Sequence, residues 1–159
     1  MIVPMTGVLG PVGKQAAAGA RLYMAQHGDT VAGRKIELIV RDDGSVPDNA
    51  KRIAQALIVN DQVAILGGGI TPSVLALAPL VNESKTATVV MVTGTSIVTY
   101  RSPYFVRPSW THAQQASVLA NWAARNGSKR VTIIASDWAP GREAADAAGQ
   151  PAEDAGAEQ

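Results

Sequence analysis

The sequence has 159 residues, 47% of them hydrophobic and 17% charged, with a formal net charge of +1, which is typical of one globular domain of ordinary size. Lysine and arginine are scattered without a basic run, so the charge pattern indicates no nucleic-acid partner and no binding to an anionic membrane. No apolar run reaches the length of a membrane span, which argues against direct membrane insertion. The sequence contains no cysteine, so disulfides and thiolate chemistry are excluded.

The first third of the chain alternates short apolar segments with helical ones. Ser45 and Asp48 have the spacing of a capping box, which predicts the start of a helix that runs to about residue 60 and buries Ile53 and Leu57. The other predicted elements are the end of a strand over residues 2–5, a glycine-rich loop over 6–13, a helix over 14–26 that ends at Gly28, and a strand over 35–40.

Residues 63–73 are the most informative stretch. An apolar run of strand length meets three glycines, and then Thr71 and Pro72 precede an apolar helical segment. A hydroxyl residue at the N-cap followed by proline is a helix start. Free backbone N–H groups and hydroxyls at the positive end of a helix dipole are suited to a carboxylate or a phosphate.

The remaining elements follow in the same alternation. Residues 86–92 form a near-continuous β-branched run, as expected of a strand that is buried on both faces. A hydroxyl-rich loop over 93–96 ends that strand. The further predictions are a short strand over 104–107, a helix over 111–125 that stops at Gly127, a strand over 130–135, a turn over 136–141 and a weak helix from 142 that Gly149 and Pro151 would break.

Strand, loop and helix recur at spacings that suit βαβ units, which predicts an α/β fold with a doubly wound parallel sheet. Ligands of such sheets lie beyond the carboxyl ends of the strands. The loops at those ends hold most of the glycine, threonine and serine that could contact a ligand, and they cover residues 5–13, 42–45, 67–73, 93–96 and 136–141.

Common nucleotide and hydrolase motifs are missing from these loops. The first loop reads T-G-x-x-G-x-x-G, which is not the dinucleotide pattern, and no Tyr-x-x-x-Lys pair accompanies it. Neither a Gly-Lys-Ser/Thr phosphate loop nor a G-x-S-x-G nucleophile turn occurs. Asp42 and Asp43 could bind a metal or accept a phosphoryl group, although a solvated turn with Asx capping is the favoured interpretation.

No combination of acid, base and nucleophile can be assembled from the loops. His27 and His112 are far apart without partners at metal-ligand spacing, so each is expected to be a surface residue. Neither a cofactor nor a metal is therefore expected. Hydroxyls and free amides without catalytic groups favour binding without turnover.

A set of ordered segments resembles the solute-binding proteins of ABC importers in the branched-chain amino acid (leucine/isoleucine/valine) class. The resemblance depends on PMTG at 4–7, GRKIEL at 33–38, RDD at 41–43, GGGITPS at 67–73, TGTS at 93–96, SPYFVR at 102–107 and DWAPG at 137–141. The segments around Thr71 and Thr95 are most similar to members that take up other carboxylates, including aromatic acids.

This resemblance implies a two-lobed type I periplasmic binding protein that closes on a small-molecule carboxylate. The ligand carboxylate would meet hydroxyls and amides after the third and fourth strands, a wall of the pocket would come from the first loop, and an aromatic side chain of the second lobe would cover the ligand. The corresponding residues here are Thr71, Ser73, Thr93, Gly94, Thr95 and Ser96 for the carboxylate, Leu9 and Val12 for the wall, and Trp138 for the cover, although packing at the surface is an equal alternative for Trp138.

The resemblance also implies a domain division, a partner and a compartment. Residues 1–110 would form the first lobe and residues 111–159 the start of a second, so that the chain is an N-terminal fragment with a loosely held segment from about residue 128. The partner would be the membrane permease of an ABC importer, and the location periplasmic. Three alternatives on the same sheet remain open: a phosphoryl-receiver domain, a nucleotide-dependent enzyme domain and a ligand-sensing regulatory module.

Overall fold

The structure is a computed structural model that describes residues 1–154. Contacts divide the chain into two compact units: the first comprises Met1–Thr93 and Val98–Ser109, and the second comprises Gly94–Ile97 and the residues from Trp110 onward. The sequence-based division placed residues 94–97 in its first domain, whereas the structure groups them with the second unit. Residues 155–159 of the predicted second domain lie outside the described part of the chain.

The first unit contains strands and helices in alternation. Its elements are β1 (Ile2–Val3), α1 (Gly10–His27), β2 (Thr30–Val31), β3 (Arg34–Lys35), β4 (Arg41–Asp42), α2 (Pro47–Val59), β5 (Ile65–Ile70), α3 (Thr71–Ser84), β6 (Ala87–Val92) and β7 (Phe105–Val106). A 3-10 helix over Ser96–Tyr100 has residues in both units. The second unit contains α4 (His112–Arg125) and α5 (Ala139–Asp154).

Five strands form one parallel sheet in the order β4-β1-β5-β6-β7, and β2 pairs antiparallel with β3 in a separate hairpin. The predicted α/β class with a parallel sheet is confirmed. The strand order reverses at β1, which has β4 on one side and β5 on the other. In the pairing of β5 with β6, Ile70 is opposite Val92, so these two strands end at the same level of the sheet.

Apolar side chains from the central strands and from α2 and α3 form the core of the first unit. The side chains that are almost completely buried include those of Ile2, Leu57, Leu66, Val74, Val81, Val90 and Val98. The β-branched run predicted over residues 86–92 is β6, and the periodic apolar positions predicted in α2 face this core.

The three glycines predicted to form a loop belong instead to strand β5. Gly67 and Gly68 pair with Val89 and Val90 of β6, so strand pairing continues into the glycine segment. Gly69 has a φ of +80°, and a Cβ there would lie 2.3 Å from a methyl group of Val74, so only glycine fits.

Two predicted helix caps are wrong. Helix α3 begins at Thr71 itself, and its N-cap position is Ile70, without a side-chain hydrogen bond. Helix α2 begins at Pro47 behind Val46, also without a side-chain cap. Its predicted cap, Ser45, has a positive φ of 64° and lies one residue too early.

Two predicted boundaries near the start of the chain also differ. Helix α1 begins at Gly10, inside the predicted first loop. The strand predicted over residues 35–40 is absent, because only Arg34–Lys35 pair with β2 and only Arg41–Asp42 pair with β1. Ile2 of β1 is opposite Arg41, so β1 pairs with Arg41 and Asp42, which follow the predicted segment in sequence.

Helix α4 of the second unit starts where the sequence predicted. Thr111 accepts a hydrogen bond from the Gln114 amide at 3.2 Å, and the Gln114 side chain accepts one from the Thr111 amide at 2.8 Å. This reciprocal pair is a capping box. Helix α5 contacts α4, and Ser117 of α4 donates a hydrogen bond to the Ala147 carbonyl at 3.0 Å.

Helix α5 runs through Gly149 and Pro151, so the predicted break is wrong. A proline lacks the N–H that would bond the carbonyl four residues earlier, and that carbonyl belongs to Ala147. The hydroxyl of Ser117 supplies the missing donor to it, which explains how the helix continues.

The strand predicted over residues 130–135 is not formed. Only Arg130 makes an isolated bridge, residues 131–135 have no regular structure, and Ile134 is 95% exposed. A strand needs a hydrogen-bonding neighbour, and within residues 1–154 no strand pairs with this segment. Among residues 1–154, no helix is long and apolar enough to cross a membrane.

Candidate functional site

Two buried threonines follow neighbouring strands at the carboxyl edge of the first unit's sheet. Thr71 and Thr93 directly follow Ile70 and Val92, which are opposite each other in neighbouring strands. Thr71 is 3% exposed and Thr93 4% exposed. Neither Oγ1 has a hydrogen-bond partner among the described residues.

A buried hydroxyl without a partner is unfavourable by about 1–3 kcal/mol, and native proteins seldom leave one unsatisfied. Two such groups after adjacent strands therefore make this edge a candidate site. The two threonines follow neighbouring strands, whose backbones are about 4.8 Å apart.

Arg107 brings a permanent positive charge to the same edge. Its Nη1 donates a hydrogen bond to the Thr93 carbonyl at 3.3 Å, and the side chain is half-buried. A guanidinium stays protonated at any pH at which proteins fold. The sequence analysis did not single out Arg107 as a site residue, because it is separated from Thr93 by a 3-10 helix and a turn.

The Ser73 hydroxyl does not donate to a group at this edge, because it already donates a hydrogen bond to Asp43 Oδ2 at 2.7 Å. Both residues are completely buried. Asp43 also accepts from the Ser45 amide at 3.0 Å. The interpretation of Asp43 as part of a solvated turn is therefore wrong: its carboxylate anchors the first turn of α3.

Asp42, in contrast, belongs to the kind of turn that the sequence predicted. Its carboxylate accepts from the Thr6 hydroxyl at 2.7 Å, from the Met5 amide at 2.7 Å and from the Gly44 amide at 2.8 Å. These hydrogen bonds, that of Thr6 first, lower the pKa of Asp42 below its usual value. Asp42 thus ties the first loop to the end of β4.

The first loop places Leu9 half-buried and Val12 38% exposed, on either side of the start of α1. The approach of α1 to the first strand is close, because a Cβ on Gly13 would lie 1.8 Å from the Pro4 carbonyl oxygen. Gly13 is therefore required for packing. Within residues 1–154, no group of three His, Asp or Glu side chains could hold a metal ion.

The other predicted carboxylate-binding residues, Gly94, Thr95 and Ser96, lie in the second unit. Thr95 and Ser96 contact a carboxylate of the chain itself. The Thr95 hydroxyl donates to Glu143 Oε2, and the Ser96 amide lies 3.0 Å from both Glu143 oxygens. Gly94 accepts from the His112 amide at 2.9 Å, and a Cβ on it would lie 2.1 Å from the His112 ring.

Trp138 also lies in the second unit, in the turn before α5, and is 43% exposed. Its amide donates to the Ser136 carbonyl at 2.8 Å, and its carbonyl accepts from the Arg142 amide at 3.0 Å. Asp137 and Arg142 form an ion pair across the same turn at 2.6 Å. The backbone of the turn is thus fixed, while much of the indole is accessible.

The chain matches the periplasmic binding protein family over residues 1–159, and it belongs to that family. It is 36% identical over 160 residues to the Leu/Ile/Val-binding protein homolog 6 of Brucella abortus (strain 2308), a match that covers 99% of this chain and 41% of the relative. The chain therefore spans less than half the length of this curated relative.

Solved structures of similar sequence come from Rhodopseudomonas palustris. One is an ABC-transporter solute-binding protein of strain BisB5 in complex with 3,4-dihydroxy benzoic acid: it has 51% identity and a TM-score of 0.95, with 99% of this chain and 44% of that one covered. Another, of strain HaA2 in complex with p-hydroxybenzoic acid, has 38% identity and a TM-score of 0.93, with 99% and 43% covered. These matches confirm the resemblance predicted from the sequence.

Proposed function

We propose that this chain carries the first part of the ligand site of an ABC-importer solute-binding protein and binds a small carboxylate through the hydroxyls of Thr71 and Thr93. The observation that supports this most strongly is the pair of buried, unpartnered hydroxyls at the ends of β5 and β6. Both can donate to one carboxylate, which has two oxygens and no donor of its own.

Charge and similarity favour a carboxylate over a neutral ligand. The guanidinium of Arg107, which carries a permanent positive charge, is bonded to the Thr93 carbonyl at this edge. Hydrogen bonds to a charged acceptor are worth roughly 1.5–3 kcal/mol each. The similar structures named above hold hydroxybenzoic acids, and the curated relative is named for leucine, isoleucine and valine, so aromatic acids and branched-chain amino acids are the ligand classes to test.

The other predicted positions take different parts in this proposal. Ser73 acts indirectly, by fixing the first turn of α3 through Asp43. Leu9 and Val12 supply an apolar wall, and Trp138 supplies an aromatic cover in the whole protein. Binding without turnover, delivery to a membrane permease and a periplasmic location all belong to the same proposal.

The aspartate pair offers little support for the phosphoryl-receiver alternative. Asp43 is completely buried on Ser73, and Asp42 accepts three hydrogen bonds from its own chain. Incubation with acetyl phosphate and mass measurement tests this alternative, and we expect no stable adduct. A regulatory module shares the fold and would be distinguished by an effector domain in the gene.

Calorimetry with 3,4-dihydroxybenzoate, 4-hydroxybenzoate and leucine tests the proposed function. Thr93→Val removes one hydroxyl at constant shape, and we expect it to weaken carboxylate binding about ten- to a hundredfold. Thr88→Val is the matched control: Thr88 is 3% exposed in β6, the strand that Thr93 follows, but its hydroxyl donates to the Thr86 carbonyl at 3.1 Å. Equal affinities for the parent chain and the Thr93 variant would contradict the proposal.

A further inference from the structure

The second unit holds a carboxylate of the chain where an external one was expected. Glu143, in the second turn of α5, accepts the Thr95 hydroxyl and the Ser96 amide. Both donors come from the segment that the resemblance assigns to the ligand. Thr95 is 2% exposed, and its acceptor Glu143 is half-buried.

We propose that Glu143 is a positioning residue that holds residues 94–97 against α5 and reserves the Thr95 and Ser96 donors for itself. The ligand carboxylate is thereby directed to Thr71 and Thr93. This inference rests on the proposed function for its ligand step, whereas the holding of the loop by Glu143 can be tested without any ligand.

The geometry supports the holding role. Both Glu143 oxygens lie 3.0 Å from the Ser96 nitrogen, and one also accepts from Thr95, so two neighbouring residues bind one carboxylate. The two ends of this contact are fixed independently. Gly94 is bonded to His112 at the start of α4, and α5 is bonded to α4 through Ser117 and Ala147.

Charge supports the exclusion of a second carboxylate. Two like charges that compete for the same two donors would lie within about 4 Å of each other, where their repulsion is strong in a partly buried site. Any external carboxylate at Ser96 must therefore displace Glu143. We expect this competition to weaken binding there by about tenfold or more.

The first test follows the Ser96 amide in ¹⁵N–¹H spectra of the full chain without ligand. Glu143→Ala should move this resonance upfield and speed its hydrogen exchange, because a charged acceptor is lost. Asp146→Asn is the matched control, since it removes one exposed negative charge from the same helix and should leave Ser96 unchanged. An unchanged Ser96 amide in Glu143→Ala would overturn the inference.

The second test adds benzoate. In the parent chain the Thr93 amide should titrate and the Ser96 amide should not, whereas in Glu143→Ala both should titrate. Glu143→Gln keeps an acceptor of similar reach without the charge, so it guards against a folding defect and should also admit benzoate to Ser96. Titration of Ser96 in the parent chain, or its failure to titrate in both variants, would overturn the exclusion step.

The two proposals can fail separately. A Thr93 amide that ignores benzoate in every variant would contradict the proposed function, and the ligand-free comparison would still decide whether Glu143 holds residues 94–97.

Discussion

Replacement of Thr93 by valine should stabilise the ligand-free chain while it weakens ligand binding. The hydroxyl of Thr93 is buried and has no partner within the described residues. Valine has almost the same shape without the polar atom, so the variant should relieve a desolvation penalty of about 1–3 kcal/mol. For a chain of this size, each kcal/mol raises the melting temperature by about 2–4 °C.

Thr88→Val should have the opposite effect on stability. The hydroxyl of Thr88 is as deeply buried as that of Thr93, but it donates to the Thr86 carbonyl at 3.1 Å. The substitution therefore removes a hydrogen bond with a net value of about 0.5–1.5 kcal/mol. Both residues lie in or directly after β6, so differences in strand propensity between the two variants are small.

Urea denaturation of the parent chain and of both variants, without ligand, measures these changes. We expect the free energy of unfolding to rise in Thr93→Val and to fall in Thr88→Val. A loss of stability of the same size in both variants would refute the reasoning, because it would mean that the Thr93 hydroxyl already has a partner in the ligand-free protein.

Three further predictions concern other parts of the chain. The pKa of Asp42 is lowered in the folded state, so its ionised carboxylate stabilises the fold above the unfolded pKa of about 3.9, and this stabilisation is lost as the pH falls through the folded pKa. In urea, Asp42→Asn should therefore be less stable than the parent at pH 7 and equally stable at about pH 2. Equal stability of the two chains at pH 7 would contradict this. Ser117→Ala should destabilise the chain by about 0.5–1.5 kcal/mol and lower the helical circular dichroism, because the Ala147 carbonyl loses its donor; an unchanged spectrum and midpoint would refute the role of Ser117. The amides of residues 131–135 should exchange with solvent far faster than those of 88–92, and equal protection by hydrogen-exchange mass spectrometry would show that a strand forms there.

Features encoded by neighbouring residues could be predicted from the sequence. The β-branched run predicted β6 to within one residue, and the helix predicted over residues 111–125 matches α4 to within one residue. The same alternation predicted the α/β class and placed Thr71 and Thr93 at strand ends. Local propensity decides such features, so no knowledge of distant contacts is needed.

Features that depend on distant partners could not be predicted. The glycines of β5 belong to a strand only because β6 pairs with this segment. Residues 131–135 lack a neighbouring strand within the described part of the chain. Glu143 is 47 residues from Ser96 in sequence, so no local pattern links the two. Asp43 was misinterpreted for the same reason, since its partner Ser73 is 30 residues away.

A crystal structure of the protein with 3,4-dihydroxybenzoate would test the central claim most directly. The account predicts the ligand carboxylate within about 2.5–3.0 Å of the hydroxyl oxygens of both Thr71 and Thr93, with Glu143 still bonded to Ser96. A carboxylate bound elsewhere, with these two hydroxyls still buried and unbonded, would contradict it.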